Sequence, residues 1–275
     1  MKTSIGAVAL GLTLACGPAV AAVEPWVLYD DFAVSLSPEK WPNKNIERYR
    51  RVESNVLRLA QGDWGEMNSN SGTVGNSWSN AIARGTAVTQ LRSFVRVNEV
   101  SVPGCAANPT SSRVRARVLG TFFNTGNRTT GSNVGDVLAQ VFLYRDANSA
   151  DPAGTLRVSG SVLLCTDASC NQGTTIGTTG SMGTATLGQN VLLQIEWDRV
   201  AKQFTFIRDA TGGAPVTAVV SYNTGSVALD DSAEPGNMFK TVGTRTDVAN
   251  CAAGSVRAFI SAQFDNVSVN KTAKP

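Results

Sequence analysis

The sequence predicts an all-β protein built as a two-sheet antiparallel β-sandwich. Three observations carry this. Beyond residue 22, no long segment keeps a 3.6-residue apolar period. Short Val/Leu/Ile/Phe/Thr runs recur instead, separated by Gly, Asn, Ser and Asp. One pair of runs, "IEWDRVAKQFTF" (Ile195–Phe206), reads directly as a hairpin. Leu193, Ile195 and Trp197 share a face, Asp198–Lys202 make the turn, and Phe204 and Phe206 return on an apolar face. Roughly twelve or more such runs suit two packed sheets better than a small barrel. A sandwich of ~250 residues fits one domain, expected here over residues 23–270.

The first 22 residues read as a secretory signal peptide. Met1-Lys2 gives a thin positive start, Ile5–Leu14 is a short apolar run, and Ala19-Val20-Ala21 before Ala22 is a small-residue cleavage site. The apolar run is too short for a membrane span. "TLAC" ending at Cys16 resembles a lipoprotein box, but Thr13 stands where Leu is usual, so the expected location is secreted, periplasmic or cell-surface without a lipid anchor. The 275-residue chain carries a net charge of +3; losing Lys2 leaves 23 basic against 21 acidic side chains, or +2. Arg48, Arg50 and Arg51 form a short basic cluster, with no concentrated basic face beyond it expected. That near-neutral balance argues against a nucleic-acid partner.

The strands follow in order. "NVLRLA" sets Val56 against Leu57 and Leu59, and "LRSFVRVNEV" (Leu91–Val100) alternates briefly around Phe94 and Val95. "SRVRARVLGTFF" puts Val114, Ala116 and Val118 on one face and Arg113, Arg115 and Arg117 on the other, the pattern of a half-buried strand with a solvated basic stripe. "DVLAQVFLYR", "TLRVSGSVLLC", "NVLLQIEWD", "QFTFIRD", "APVTAVVSY" and "SVRAFISAQF" continue the series. The polar end, residues 271–275, is expected to be loose.

The closing strand, "SAQFDNVSVN", changes phase. Ile260, Ala262 and Phe264 share one face, Val267 and Val269 the other, with Asp265 and Asn266 between. A β-bulge there would return Phe264 and Val267 to one side. Near the start, "WVLYDDF" puts Asp30 in the same row as Trp26, Leu28 and Phe32. If the first and last strands are neighbours, Asp30 or Asp31 lies near Asp265, and the carboxylates with backbone carbonyls make a candidate structural Ca²⁺ site. The competing reading is that these acids cap turns by accepting backbone N–H bonds.

Cleavage after residue 22 leaves Cys105, Cys165, Cys170 and Cys251, an even number in an exported chain. Cys165 and Cys170 bracket the short loop "CTDASC" and are expected to pair, leaving Cys105 to pair with Cys251. There is no histidine. This removes Ser-His-Asp and Cys-His nucleophile systems, His-ligated metals and His general bases.

The motifs "LYDDF", "NVLRLA", "LLQIEWD…QFTF" and "QFDNVSV", in that order across most of the exported chain, resemble the concanavalin A-like lectin/glucanase superfamily, and within it the secreted bacterial laminin-G-like members. The resemblance implies a jelly roll of two curved sheets with neighbouring first and last strands on the convex side. In several members a calcium ion binds there. The glucanases of the superfamily carry Glu-x-Asp-x-Glu or Glu-x-Asp-x-x-Glu on a concave strand. This chain offers only Glu196 and Asp198, at a strand end before a turn, and the alginate-lyase-like Gln-x-His strand is closed to it. The chain is therefore expected to be non-catalytic.

The stretch Gln61–Gly85 spaces Trp64 and Trp78 among small polar residues. Exposed aromatics there would stack on sugar rings, making Trp64 and Trp78 the candidate ligand-binding residues; the alternative is that each plugs a sheet edge. Two function classes follow. One is an exported module binding a polysaccharide or cell-surface glycan. The other is an adhesive envelope protein making protein–protein contacts.

Overall fold

The computed structural model describes residues 24–33, 49–83, 87–124, 132–210, 214–223, 239–254 and 256–273. The signal segment with Cys16, and also Trp41 and Arg48, lie outside them. Fourteen strands run through the described residues: β1 (Trp26–Asp30), β2 (Tyr49–Glu53), β3 (Val56–Trp64), β4 (Thr73–Ala81), β5 (Gln90–Ser101), β6 (Arg113–Asn124), β7 (Asp136–Asp146), β8 (Thr155–Cys165), β9 (Gly173–Thr186), β10 (Val191–Asp198), β11 (Gln203–Ala210), β12 (Val216–Ser221), β13 (Lys240–Ala249) and β14 (Arg257–Asn270).

They form two antiparallel sheets packed as a jelly-roll sandwich. The eight-stranded sheet runs β12-β11-β10-β5-β14-β3-β2, with β1 also paired to β14. The six-stranded sheet runs β4-β13-β6-β7-β8-β9. Alternation explains the interior. Leu57, Leu59, Val95, Leu193, Ile195, Phe204, Phe206 and Ile260 reach it from one sheet, and Val114, Ala116, Val118, Val141, Val158 and Val242 from the other, all of them buried. Each such side chain stabilises the fold by about 1.5–3 kcal/mol relative to exposure. The hairpin read from sequence is β10–β11, with Ile195 opposite Phe206 and Trp197 opposite Phe204.

The phase change in the last strand is a bulge. β14 pairs with β3 from Arg257 to Phe264 and with β1 from Val267 to Asn270. On its other edge the register with β5 shifts between Asp265 and Ser268. The bulge thus sits at the seam where one neighbour of β14 ends and the next begins. Phe264 and Val267 are both fully buried as a result. Asn266 takes a φ of 49°, a left-handed conformation that Asn tolerates better than most residues.

The cysteines pair as expected. Cys105 joins Cys251 with their Cα atoms 5.9 Å apart, and Cys165 joins Cys170 at 4.9 Å. On the chain-entropy account, closing the long loop between Cys105 and Cys251 stabilises the fold by about 5 kcal/mol, and the short loop by about 2 kcal/mol. The end of the chain departs from expectation. Lys271–Ala273 form a 3-10 turn and Ala273 is buried. The Glu24 carboxylate accepts from Asn270 Nδ2 (3.1 Å) and Thr272 Oγ1 (2.9 Å), tying this turn to the start of β1.

Asn266→Val should lower the urea-unfolding free energy by about 1–2 kcal/mol, because a β-branched residue resists φ > 0, whereas Asn266→Gly should be nearly neutral. Equal losses for both would mean that the bulge does not depend on this conformation.

Candidate functional site

Alternation on β13 sets the outer face of the six-stranded sheet. Thr244 and Thr246 point inward, where Thr244 Oγ1 donates to Gln61 Oε1 (3.0 Å) and Thr246 Oγ1 donates to Asp63. The Gln61 amide donates to Asp63 Oδ2 at 2.7 Å, and Asn76 Nδ2 to Asp63 Oδ1 at 3.0 Å. With the threonines held inside, Arg245 and Asp247 must point out. Register puts Arg245 opposite Arg115 and Asp247 opposite Arg113 on β6. Arg113, Arg115 and Arg117 point out for the same reason: Val114, Ala116 and Val118 occupy the core.

These strands floor an open cleft of about 340 Å³. Arg115, Arg117, Arg245 and Gln140 supply its polar floor, Leu138 and Leu163 its apolar part, and Cys170–Gly173 one wall. Asp247 binds two of the arginines. Arg245 approaches Asp247 Oδ1 at 2.9 Å through both Nε and Nη2, and Arg115 Nη2 donates to Oδ2. Among the described residues Arg117 donates to neutral partners, from Nη2 to Ser77 Oγ (2.7 Å) and from Nη1 to Gln140 Oε1 (3.3 Å). The Nε atoms of Arg115 and Arg117 are buried without a partner. Gln140 is itself held by donating to Ser161 Oγ at 3.0 Å.

The electrostatics follow. Burial pushes the Arg117 pKa well below the usual arginine value, and the like charges of Arg115 and Arg245 push the same way. Burial also lowers Arg115, with Asp247 opposing it. For Asp247, burial works against the charge, but Arg115 and Arg245 outweigh it and hold the carboxyl below its usual range. Arg113 is set apart by its own bidentate pair with Asp146, at 2.5 and 3.1 Å. The wall is built by the Cys165–Cys170 loop. Asp167 inside that loop accepts the backbone N–H groups of Ser169 (2.9 Å), Asn171 (3.3 Å) and Gln172.

The solvated basic stripe expected on β6 is therefore corrected. Arg113 alone is substantially exposed; neighbouring strands cover Arg115 and Arg117, and Arg117 is only 6% exposed. The sequence also hid this basic cluster, because Arg245 lies far from β6 along the chain and only strand pairing brings it opposite Arg115.

The candidate tryptophans separate. Trp64 is 61% exposed on the outer face of the eight-stranded sheet, on the opposite side of the sandwich from the cleft. Trp78 is corrected from a surface aromatic to a core residue. It points inward from β4 between the sheets and is 7% exposed. Tyr222 is also a core residue, accepting from Trp197 Nε1 at 3.0 Å.

The acids of the seam are close but already engaged. Asp30 Oδ1 accepts from Phe32 N (2.8 Å), Asp31 Oδ1 from Ala33 N (3.1 Å) and Asp265 Oδ1 from Asn266 N (2.7 Å). Burial raises the Asp265 pKa against that hydrogen bond, and the nearby charge of Asp31 raises it further. Asp30 is turned inward and largely buried. Ca²⁺ takes six to eight oxygens. Among the described residues no three acidic, Cys or His side chains group to hold a metal. Glu196 and Asp198 belong to β10 of the eight-stranded sheet, the sheet that also holds the seam. Asp198 Oδ1 accepts from Val200 and Ala201 N, both at 2.9 Å, which is turn chemistry.

No known family profile matches the chain, and no curated protein matches it. Solved structures do. A mutant of the GH43 protein BlXynB from Bacillus licheniformis is 14% identical, with a TM-score of 0.40, over 88% of this chain and 39% of its own. The chain thus spans well under half of that protein. The CBM2 module of the evolved Dit of Lactobacillus casei BL23 phage J-1 is 13% identical over 90% of this chain and 99% of its own, with a TM-score of 0.39. Winged bean acidic lectin, complexed with methyl-α-D-galactose, is 17% identical over the same shares, also at 0.39.

Trp78→Ala should destabilise the protein by about 3–5 kcal/mol in chemical denaturation, as removal of a buried aromatic does. Trp64→Ala should stay within about 0.5 kcal/mol of the parent. Comparable effects would contradict their different burial. EDTA should leave the melting temperature unchanged, since Asp30, Asp31 and Asp265 already bind backbone; a drop that Asp265→Asn abolishes would instead establish a bound ion.

Proposed function

We propose that this chain is an exported, non-catalytic, lectin-like module that binds carbohydrate in the cleft of the six-stranded sheet. The observation that carries the reading is the cleft itself. The hydrogen-bonding side chains of its floor stand on paired strands, so their positions are set before a ligand arrives. Gln140 and the guanidinium groups can meet sugar hydroxyls, while Leu138 and Leu163 offer an apolar surface to the C–H face of a ring. A polysaccharide or cell-surface glycan is the partner class.

The non-catalytic part rests on the sequence, which carries no histidine and no Glu-x-Asp-x-Glu strand. Two disulfides suit an oxidising compartment. No helix among the described residues is long and apolar enough to cross a membrane.

The test is retention of Val23–Pro275 on a broad glycan array. A specific hit is expected, and the double variant Asn171→Ala/Gln172→Ala should weaken it about tenfold while the melting temperature stays put. Both residues are exposed on the wall, and each lost hydrogen bond costs ~0.5–1.5 kcal/mol. A blank array with folded protein would overturn the reading in favour of an adhesive envelope protein with protein partners.

A further inference from the structure

We infer that the ligand of this cleft is anionic: a polysaccharide whose sugars carry an oxyanion, carboxylate or sulfate, seated on Arg115, Arg117 and Arg245. The inference rests on the carbohydrate-binding reading and deepens it.

Three guanidinium groups line the cleft and one carboxylate, Asp247, binds two of them. Asp167 lies within the field of Arg245, but its oxygens are turned to the backbone N–H groups of its own loop. Arg113 and Asp146 neutralise each other nearby. The floor therefore keeps an excess of positive charge at depth. Arg117 concentrates it. The side chain is more than nine-tenths buried, and among the described residues its hydrogen-bond partners are the neutral Ser77 and Gln140 and its Nε proton has no acceptor. Arg115 has an orphan Nε as well.

A buried charge that Asp247 offsets only in part is costly, and so is a buried donor without an acceptor. Neutral sugar hydroxyls could accept single hydrogen bonds here but would leave the excess charge in place. An oxyanion in the cleft supplies the missing negative charge. Planar guanidinium forks also match the paired oxygens of a carboxylate or sulfate, which a single hydroxyl does not present. The depressed pKa of Arg117 agrees with a cation awaiting an anion. The volume, about 340 Å³, stands at the low end of ligand pockets, so the cleft grips a short stretch of a polymer whose remainder leaves through its open mouth.

Binding of the mature chain would be measured to polygalacturonate, dextran sulfate and neutral dextran, at ~20 and ~300 mM NaCl. The expected result is binding to a charged polymer that falls at least about tenfold with salt and about tenfold on Arg245→Gln. Arg199→Gln, an equal loss of charge on the β10–β11 turn of the other sheet, should change it little. Preference for polygalacturonate would assign a carboxylate ligand, and preference for dextran sulfate a sulfate. Because Arg245→Gln could disturb Asp247, Asp247→Asn serves as the second variant. Removing the competing carboxylate should tighten polyanion binding, with circular dichroism confirming the fold. Weaker binding of folded Asp247→Asn would overturn the inference, as would equal losses from Arg245→Gln and Arg199→Gln. Salt-insensitive binding to neutral dextran alone would overturn the anionic ligand and leave the carbohydrate reading standing. Binding to no polymer, together with a blank array, would overturn both.

Discussion

The hydrogen bonds of Gln61 and Asp63 across the interior fix the register on which the outer surface depends. They engage Thr244 and Thr246 of β13 and Asn76 of β4, so one polar cluster joins both sheets. Every member has partners within the cluster, which keeps the cost of burying it small. A one-residue slip of β13 would orphan this cluster and drive Arg245 and Asp247 into the core. The apolar contacts alone would not enforce this so strictly, because Val242 and Val248 could trade places with neighbours more cheaply than an arginine could enter. The charge arrangement outside is thus a consequence of polar bonds inside.

A second constraint acts at the seam of the eight-stranded sheet. β14 must serve β5 along one edge and both β3 and β1 along the other. The two partners on that edge do not continue one another, and the extra residue at Asp265-Asn266 absorbs the mismatch. The Asp265 carbonyl, displaced from regular pairing, accepts the Ser93 hydroxyl at 3.0 Å. The acid and amide in an apolar strand are explained by backbone needs: Asn266 for its left-handed conformation, Asp265 for bonding the N–H of that same residue.

Local pattern made much of the fold legible. Alternation in "SRVRARV" and "LLQIEWD" assigned correct faces, because side-chain direction in a strand is set by its nearest neighbours in sequence. The bulge was legible because two valines fell out of phase. The site was less so. Three arginines on β6 were visible, but their burial comes from β4, β7, β13 and the Cys165–Cys170 loop, elements tens of residues away. Trp78 misled for the opposite reason. Its immediate neighbours Ser77 and Ser79 alternate outward while the indole ring turns to the other sheet. Composition around a residue reports on its loop or strand; its own burial is decided by what packs on that face.

The wall of the cleft has a bearing on when the protein can act. Cys170–Gly173 stand where they do because Cys170 is tethered to Cys165 at the end of β8. In the reducing cytosol that tether is open, and the segment loses the link that sets it against the arginines. Under the proposed reading of an exported glycan-binding module, the ligand seat is completed by oxidation outside the cytosol.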